Sequence, residues 1–223
     1  CDRILQMSKQ EESIGNALEN MIFYPNDAEK YYQILERNGF DIQGNYCCIG
    51  IQIEALNEEG KRNYKYFTQM IKFKIFSFWD KTGTFTWKNT SVFVLCDSTD
   101  EARKNILSFL QQVVTEKQGT YHMKAGIGAH CDGILKLSQN YRRILVMFRL
   151  AERVEEKVLE YDELGVKKLL MSINDNQVIS SYEEEILGKL KKYDAENNTN
   201  LMDLLRKYLE CDGSIQQVVK EMY

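Results

Sequence analysis

Proline occurs once and histidine twice in these 223 residues. A metal site built on imidazole therefore has only His122 and His130 to draw on. The six cysteines, Cys1, Cys47, Cys48, Cys96, Cys131 and Cys211, have neither the paired spacing of a zinc site nor the density of a disulfide scaffold. They read as reduced thiols of a cytosolic protein. No run approaches 18 apolar residues, and no basic, apolar, small-residue series opens the chain, so neither a membrane span nor a signal peptide is expected. Positive charge is not in excess: the formal net charge is −4, which argues against holding nucleic acid or an anionic membrane by bulk electrostatics.

Hydrophobic residues make up 43% of the chain and charged residues 28%, the balance of an ordinary globular protein with one large or two small cores. Two helices are expected over 10–22 and 27–38, separated by Pro25, with Asn26 or Asp27 as a cap and Gly39 as a stop. The segment 46–54, "YCCIGIQIE", is continuous in strand formers, as a central strand would be. A polar turn over 57–60 follows, then a long amphipathic helix over 63–79. "TFTWK" and "SVFVLC" predict a hairpin turning at Asn89 and Thr90. Ser98 or Thr99 caps a helix running to Glu116 and closed by Gly119; 121–128 predicts a fourth strand, and 135–154 a further helix. Beyond Tyr161 only helices are expected.

Strand, helix, strand, strand, helix, strand, helix is the order of an α+β fold of ferredoxin-like type. It implies a four-stranded antiparallel sheet with helices on one face, followed by an all-helical C-terminal unit. Residues 1–42 read as an N-terminal helical linker, 43–160 as the mixed domain and 161–223 as the helical unit. The chain begins at Cys1 rather than Met, and both natural ends are expected to lie outside it.

Candidates for chemistry are few. His130, Cys131 and Asp132 adjoin in a loop, but three consecutive side chains cannot all face one ion, so a loop without chemistry is the reading adopted. Cys47, Cys48 and Cys96 fall in strands, where cysteine packs as a small hydrophobe. "AGIGAHCDG" (125–133) lacks the Lys-Ser/Thr close of a phosphate loop and reads as a tight strand-to-helix turn. On the helix over 135–154, Leu137, Tyr141, Ile144, Leu145 and Phe148 define a buried side; Lys136, Arg142, Arg143, Arg149 and Arg153 define a solvated face. Val146, Met147 and Leu150 form an extra apolar ridge expected to meet another domain or a second subunit.

Residues 201–223, "LMDLLRKYLECDGSIQQVVKEMY", carry two amphipathic stripes. Leu201, Leu204, Leu205, Tyr208 and Leu209 form the first; Gly213 stops that helix, Ser214 caps the next, and Ile215, Val218, Val219 and Met222 form the second. The longer segment that contains both stripes, "LGKLKKYDAENNTNLMDLLRKYLECDGSIQQVVKEMY" (187–223), with "AGIGAHCDGILKLSQNYRRILVMFRLAERV" (125–154) and "YDELGVKKLLMS" (161–172), resembles the PucR/CdaR family of bacterial transcription regulators. The resemblance implies a GGDEF-like central domain and the start of a C-terminal helix-turn-helix, with Gly213, Ser214, Ile215, Val218, Val219 and Met222 as its scaffold and the base-reading helix beyond. It implies a cytoplasmic bacterial regulator, dimeric or of higher order, that binds DNA when complete and answers an effector not readable from these residues. The present chain is not expected to select DNA: Arg206, Lys207 and Lys220 face Asp203, Glu210, Asp212 and Glu221.

An enzyme is the rival, since GGDEF domains of diguanylate cyclases use glycines and carboxylates between the second and third strands. Here those positions read Lys88, Asn89, Thr90, Ser91 and Val92, and the first strand offers Gln52, with Glu54 two residues on, in place of a metal-binding aspartate. A degenerate, non-catalytic module without cofactor or metal is expected. A small-molecule or nucleotide-binding domain without turnover remains open, and an active cyclase less so.

Overall fold

The computed structural model describes residues 2–152, 154–168 and 176–222. The chain divides between residues 171 and 172 into two compact units. In the first lie α1 (Asp2–Phe23), α2 (Glu29–Arg37), β1 (Asn45–Ala55), α3 (Glu58–Phe78), β2 (Thr82–Trp87), β3 (Thr90–Cys96), α4 (Asp100–Lys117), β4 (Tyr121–Ile127), β5 (Cys131–Asp132), α5 (Leu137–Ala151) and β6 (Val158–Glu160). The second holds α6 (Asn176–Asn197), α7 (Leu201–Glu210) and α8 (Ile215–Met222).

The sheet of the first unit has six strands, in the order β2-β3-β1-β4-β6, with β5 paired to the start of β1. Its first four strands are antiparallel neighbours, and β6 alone runs parallel to β4. The expected four strands are thus present, and β5 and β6 enlarge the sheet. Between Tyr46 and Ile51 β1 is buried on both sides, and its alternation divides the core in two. Tyr46 and Cys48 join one cluster with Leu18 and Met21 of α1 and with Tyr141, Ile144 and Met147 of α5. Cys47, Ile49 and Ile51 join the other, with Phe67, Ile71 and Ile75 of α3 and Ile106 and Leu110 of α4.

Helices therefore cover both faces, which corrects the one-faced expectation. A run apolar at every position, as β1 is from Tyr46 to Ile51, demands that second cover. The cover includes α1, so the stretch set apart as a linker contributes to the core; Phe23 stacks on Trp87 at 4.2 Å and meets Tyr141 edge-on at 5.3 Å.

Local chemistry shifts several boundaries. Asn57 accepts a hydrogen bond from the Gly60 amide at 2.8 Å, so the polar stretch expected as a turn is the capped first turn of α3. Thr99 caps α4 through the Ala102 amide at 3.1 Å. The N-cap of α2 is Ala28, with no side-chain bond, so neither Asn26 nor Asp27 fills that role. Gly39, at φ +82°, ends α2 in a left-handed cap with Phe40 N bonded to Leu35 O at 3.0 Å. The β2–β3 turn is Lys88–Asn89, one residue earlier than expected: Trp87 pairs with Thr90, and Lys88 takes φ +53°.

Among the described residues no helix is long and apolar enough to cross a membrane.

Candidate functional site

Three places bear on function. The first is the hairpin end of the sheet. Pairing of β1 with β3 sets Gln52 opposite Thr90, and Gln52 Nε2 donates to Thr90 Oγ1 at 3.0 Å and to Asn89 Oδ1 at 3.5 Å. Thr90 is buried, and the two-residue turn leaves no extended loop at Lys88 to Val92. Glu54, two residues beyond Gln52 and on the same face of β1, is paired with His122 of β4, past the end of the β1–β3 pairing. Neutral amide and hydroxyl groups satisfy one another where a phosphoryl-transfer site would need ionised oxygens around a divalent cation.

At the opposite end of the sheet, the β4–β5 loop carries His130. Its Nδ1 contacts Asn45 Oδ1, and its Nε2 lies 3.6 Å from Asp100. Burial, then the nearby Arg103, holds this imidazole below its ordinary pKa. Arg103, in the first turn of α4 and itself buried, pairs with Glu160 at 2.6 Å and with Asp162 at 3.5 Å. Sequence reasoning missed this clasp; its only local signal is the i,i+3 spacing to Asp100, because the stronger partners lie 57 and 59 residues away. Cys131 pairs with Tyr46 in the β1–β5 ladder, and Asp132 accepts from Asn45 Nδ2 at 3.1 Å. His130 and Asp132 thus share the Asn45 amide, while Cys131 pairs with Tyr46, and the three adjacent residues do not converge on one point. The Cys47 thiol is pushed up to about 12 by burial and Cys48 is also raised, which suits packing rather than thiolate chemistry.

The ridge expected as an interface divides differently. Met147 is fully buried and lies under the sheet at Gly126, so it belongs to the core of its own unit and not to a docking surface. Val146 is half-buried, and Leu150 is partly buried against the same core. Leu145, expected inside, is 39% exposed, because the helix is rotated to seat Met147 and Ala151 instead. Arg143 lies over the Tyr161 ring at 4.7 Å, and Arg142 and Arg149 are exposed; Arg153 lies outside the described residues.

The third place is the α7–α8 pair. Asp194, at the end of α6, accepts from the Leu201 and Met202 amides at 2.9 Å each, capping α7 from outside. The Thr199 hydroxyl, which donates to Asp194 Oδ1 at 2.6 Å, and after it these amide bonds hold the carboxyl below the ordinary carboxylate range. The connector turns on Asp212 at φ +49° and Gly213 at φ +79°, with Gly213 N bonded to Tyr208 O at 2.9 Å. Ser214 starts α8, its Oγ accepting from Gln217 N at 3.4 Å. Of the expected second stripe, Val218 is buried while Ile215 and Val219 are 70% and 52% exposed; the Met222 side chain lies outside the described residues. Leu204, Tyr208 and Leu209 are exposed too, so a substantial apolar surface remains open on these two helices. Lys207 is taken up by Glu210 and Glu221, and Arg206 lies 3.8 Å from Asp203.

No family model matches the chain. Over 138 residues, 59% of this chain and 33% of the relative, it is 21% identical to the DNA-binding transcriptional activator AdeR of Bacillus subtilis (strain 168). Over 101 residues, 44% of this chain and 25% of the relative, it is 34% identical to the proline-responsive transcriptional activator PutR of the same organism. The matched stretches span a third and a quarter of those relatives' lengths. The crystal structure of a regulator of polyketide synthase expression from Bifidobacterium adolescentis aligns with a TM-score of 0.43 and 12% identity, covering 94% of this chain and 77% of that one. The chain is thus similar to bacterial transcriptional regulators.

Proposed function

We propose that this chain is part of a cytoplasmic DNA-binding transcriptional regulator of PucR/CdaR type. Its first unit is then a ferredoxin-like, GGDEF-like module that has lost catalysis and serves signalling or subunit pairing; its second supplies the opening helices of a helix-turn-helix. The observation that carries this reading is the Cys211–Ser214 connector: a left-handed Asp212–Gly213 pair and a serine cap join two short amphipathic helices. Support also comes from the similarity to AdeR and PutR, which are named as transcriptional activators. The Gln52–Thr90 hydrogen bond supports the non-catalytic half of the proposal.

In this reading α8 is the helix that crosses the DNA backbone, and base recognition belongs to a helix not among α1–α8. The exposed Leu204, Leu209, Ile215 and Val219 are then the surface that helix packs on. The whole protein acts as a dimer or higher oligomer under an effector.

The test compares this chain with the same chain carrying the residues that follow in its gene, using labelled upstream DNA at physiological salt. The longer form is expected to bind selectively and the present one not to. Tight, sequence-selective binding by the present chain, or indifference of the longer form to all DNA, would contradict the proposal.

A further inference from the structure

The β4 edge is only half covered. Leu56 N bonded to Thr120 O and Gly128 N bonded to Cys48 O, at 2.9 and 2.8 Å, mark the even-numbered positions as those that face β1. Ala125 N bonded to Lys157 O and Tyr161 N bonded to Ile127 O, at 2.9 and 2.8 Å, mark the odd-numbered positions as those that face β6. Yet β6 begins only at Val158, opposite Ala125. The amides and carbonyls of Tyr121 and Met123 therefore look outward, and among the described residues no strand pairs with them.

They look into a cleft of about 650 Å³ between this edge, the C-terminal half of α4 and the segment leading into β6. Its floor is apolar: Tyr121, Met123, Val158 and the half-buried Val114. Its mouth is acidic. Glu155 and Glu156 are exposed there, while the neighbouring Lys157 turns its ammonium to the Ala151 and Val154 carbonyls at 2.7 Å each.

We infer that this edge takes an extended cationic peptide segment as an added strand. Backbone groups of Tyr121 and Met123 supply the ladder, an apolar side chain enters the cleft, and a Lys or Arg meets Glu155 and Glu156. The inference rests on the open edge and does not depend on the regulatory reading. An open edge beside an apolar pocket provides the two components of strand addition: main-chain bonds for affinity and alternate side chains for specificity. The acidic mouth selects a basic segment over an acidic one.

The probe is a fluorescein-labelled, end-capped hexapeptide of alternating lysine and valine, titrated against the whole chain and followed by anisotropy. Two further versions carry backbone N-methyl groups, one on the lysines and the other on the valines, so that each blocks one edge of the strand. Saturable binding is expected for the parent, with one methylated version weakened at least about tenfold and the other retained. The double variant Glu155→Lys, Glu156→Lys should keep its melting temperature, because both side chains are exposed, and weaken the basic peptide by about tenfold. Absence of saturable binding up to about 1 mM overturns the inference. So does equal binding of both methylated versions, which would mean capture of a small apolar group without a strand.

Discussion

Two glycines decide how closely α5 can approach the sheet. Gly50 and Gly126 lie side by side in the β1–β4 register. A β-carbon on Gly50 would sit 2.5 Å from Ile144 Cγ2 and 3.1 Å from Phe148 Cζ, and one on Gly126 would sit 3.1 Å from Met147 Cε. Bare backbone at these two positions forms the floor into which three side chains of α5 are set. Gly50→Val should therefore destabilise the first unit by about 1–3 kcal/mol, although valine is the better strand former, because the added methyl groups overpack a filled interior. The measurement is a shift in the urea midpoint at constant slope. Gly119→Ala is the control: a β-carbon there meets nothing within 4 Å, so its midpoint should stay in place. The two strand glycines are visible in the sequence, but their purpose is not, since it depends on a helix whose contacts lie about 90 residues from Gly50 and about 20 from Gly126.

At the scale of elements, legibility follows length and self-sufficiency. The strands β1, β3 and β4 and the helices α3, α4 and α5 each carry enough apolar residues to declare their type. β5 and β6, of two and three residues, do not: their bonds come from Tyr46 and from Ala125 to Ile127, and so short a run has no alternation to read. On α5, Leu137, Tyr141, Ile144 and Phe148 are buried as expected, but Leu145 is exposed and Met147 buried, because these two flank the apolar stripe on opposite sides and periodicity alone does not say which margin the sheet glycines admit. The same uncertainty of depth affects α7. Leu205 reads as a core residue by spacing yet is only half-buried. Leu205→Asp should accordingly destabilise the second unit by about 1–2 kcal/mol, roughly half the cost of a fully buried leucine, and leave the first unit's transition unchanged. Urea titration followed by a probe in each unit checks this; loss of several kcal/mol would mean that Leu205 is covered in solution.

For the whole molecule, the proposed loss of catalysis is tested by nucleotide turnover. Transfer of a phosphoryl group between nucleotides needs carboxylates to hold divalent cations and room for phosphate close to the backbone. Both are absent at the hairpin end, where Lys88 and Asn89 make the turn, Thr90 is buried and Gln52 hydrogen-bonds across to it. Glu54 alone carries negative charge nearby on β1, and among the described residues no group of three His, Cys, Asp or Glu is placed to hold a metal. The net charge of −4 further disfavours retention of a polyphosphate without a cation site. Incubation of the chain with GTP and Mg²⁺ or Mn²⁺ should therefore yield no cyclic dinucleotide, read by chromatography against a no-protein control. Gln52→Asp restores one carboxylate but leaves the turn closed, so it should not restore turnover either; by removing the donor to Thr90 it should lower the melting temperature instead. Product above the control from either protein would mean that the nucleotide enters elsewhere on the sheet, and the non-catalytic reading of the first unit would fall.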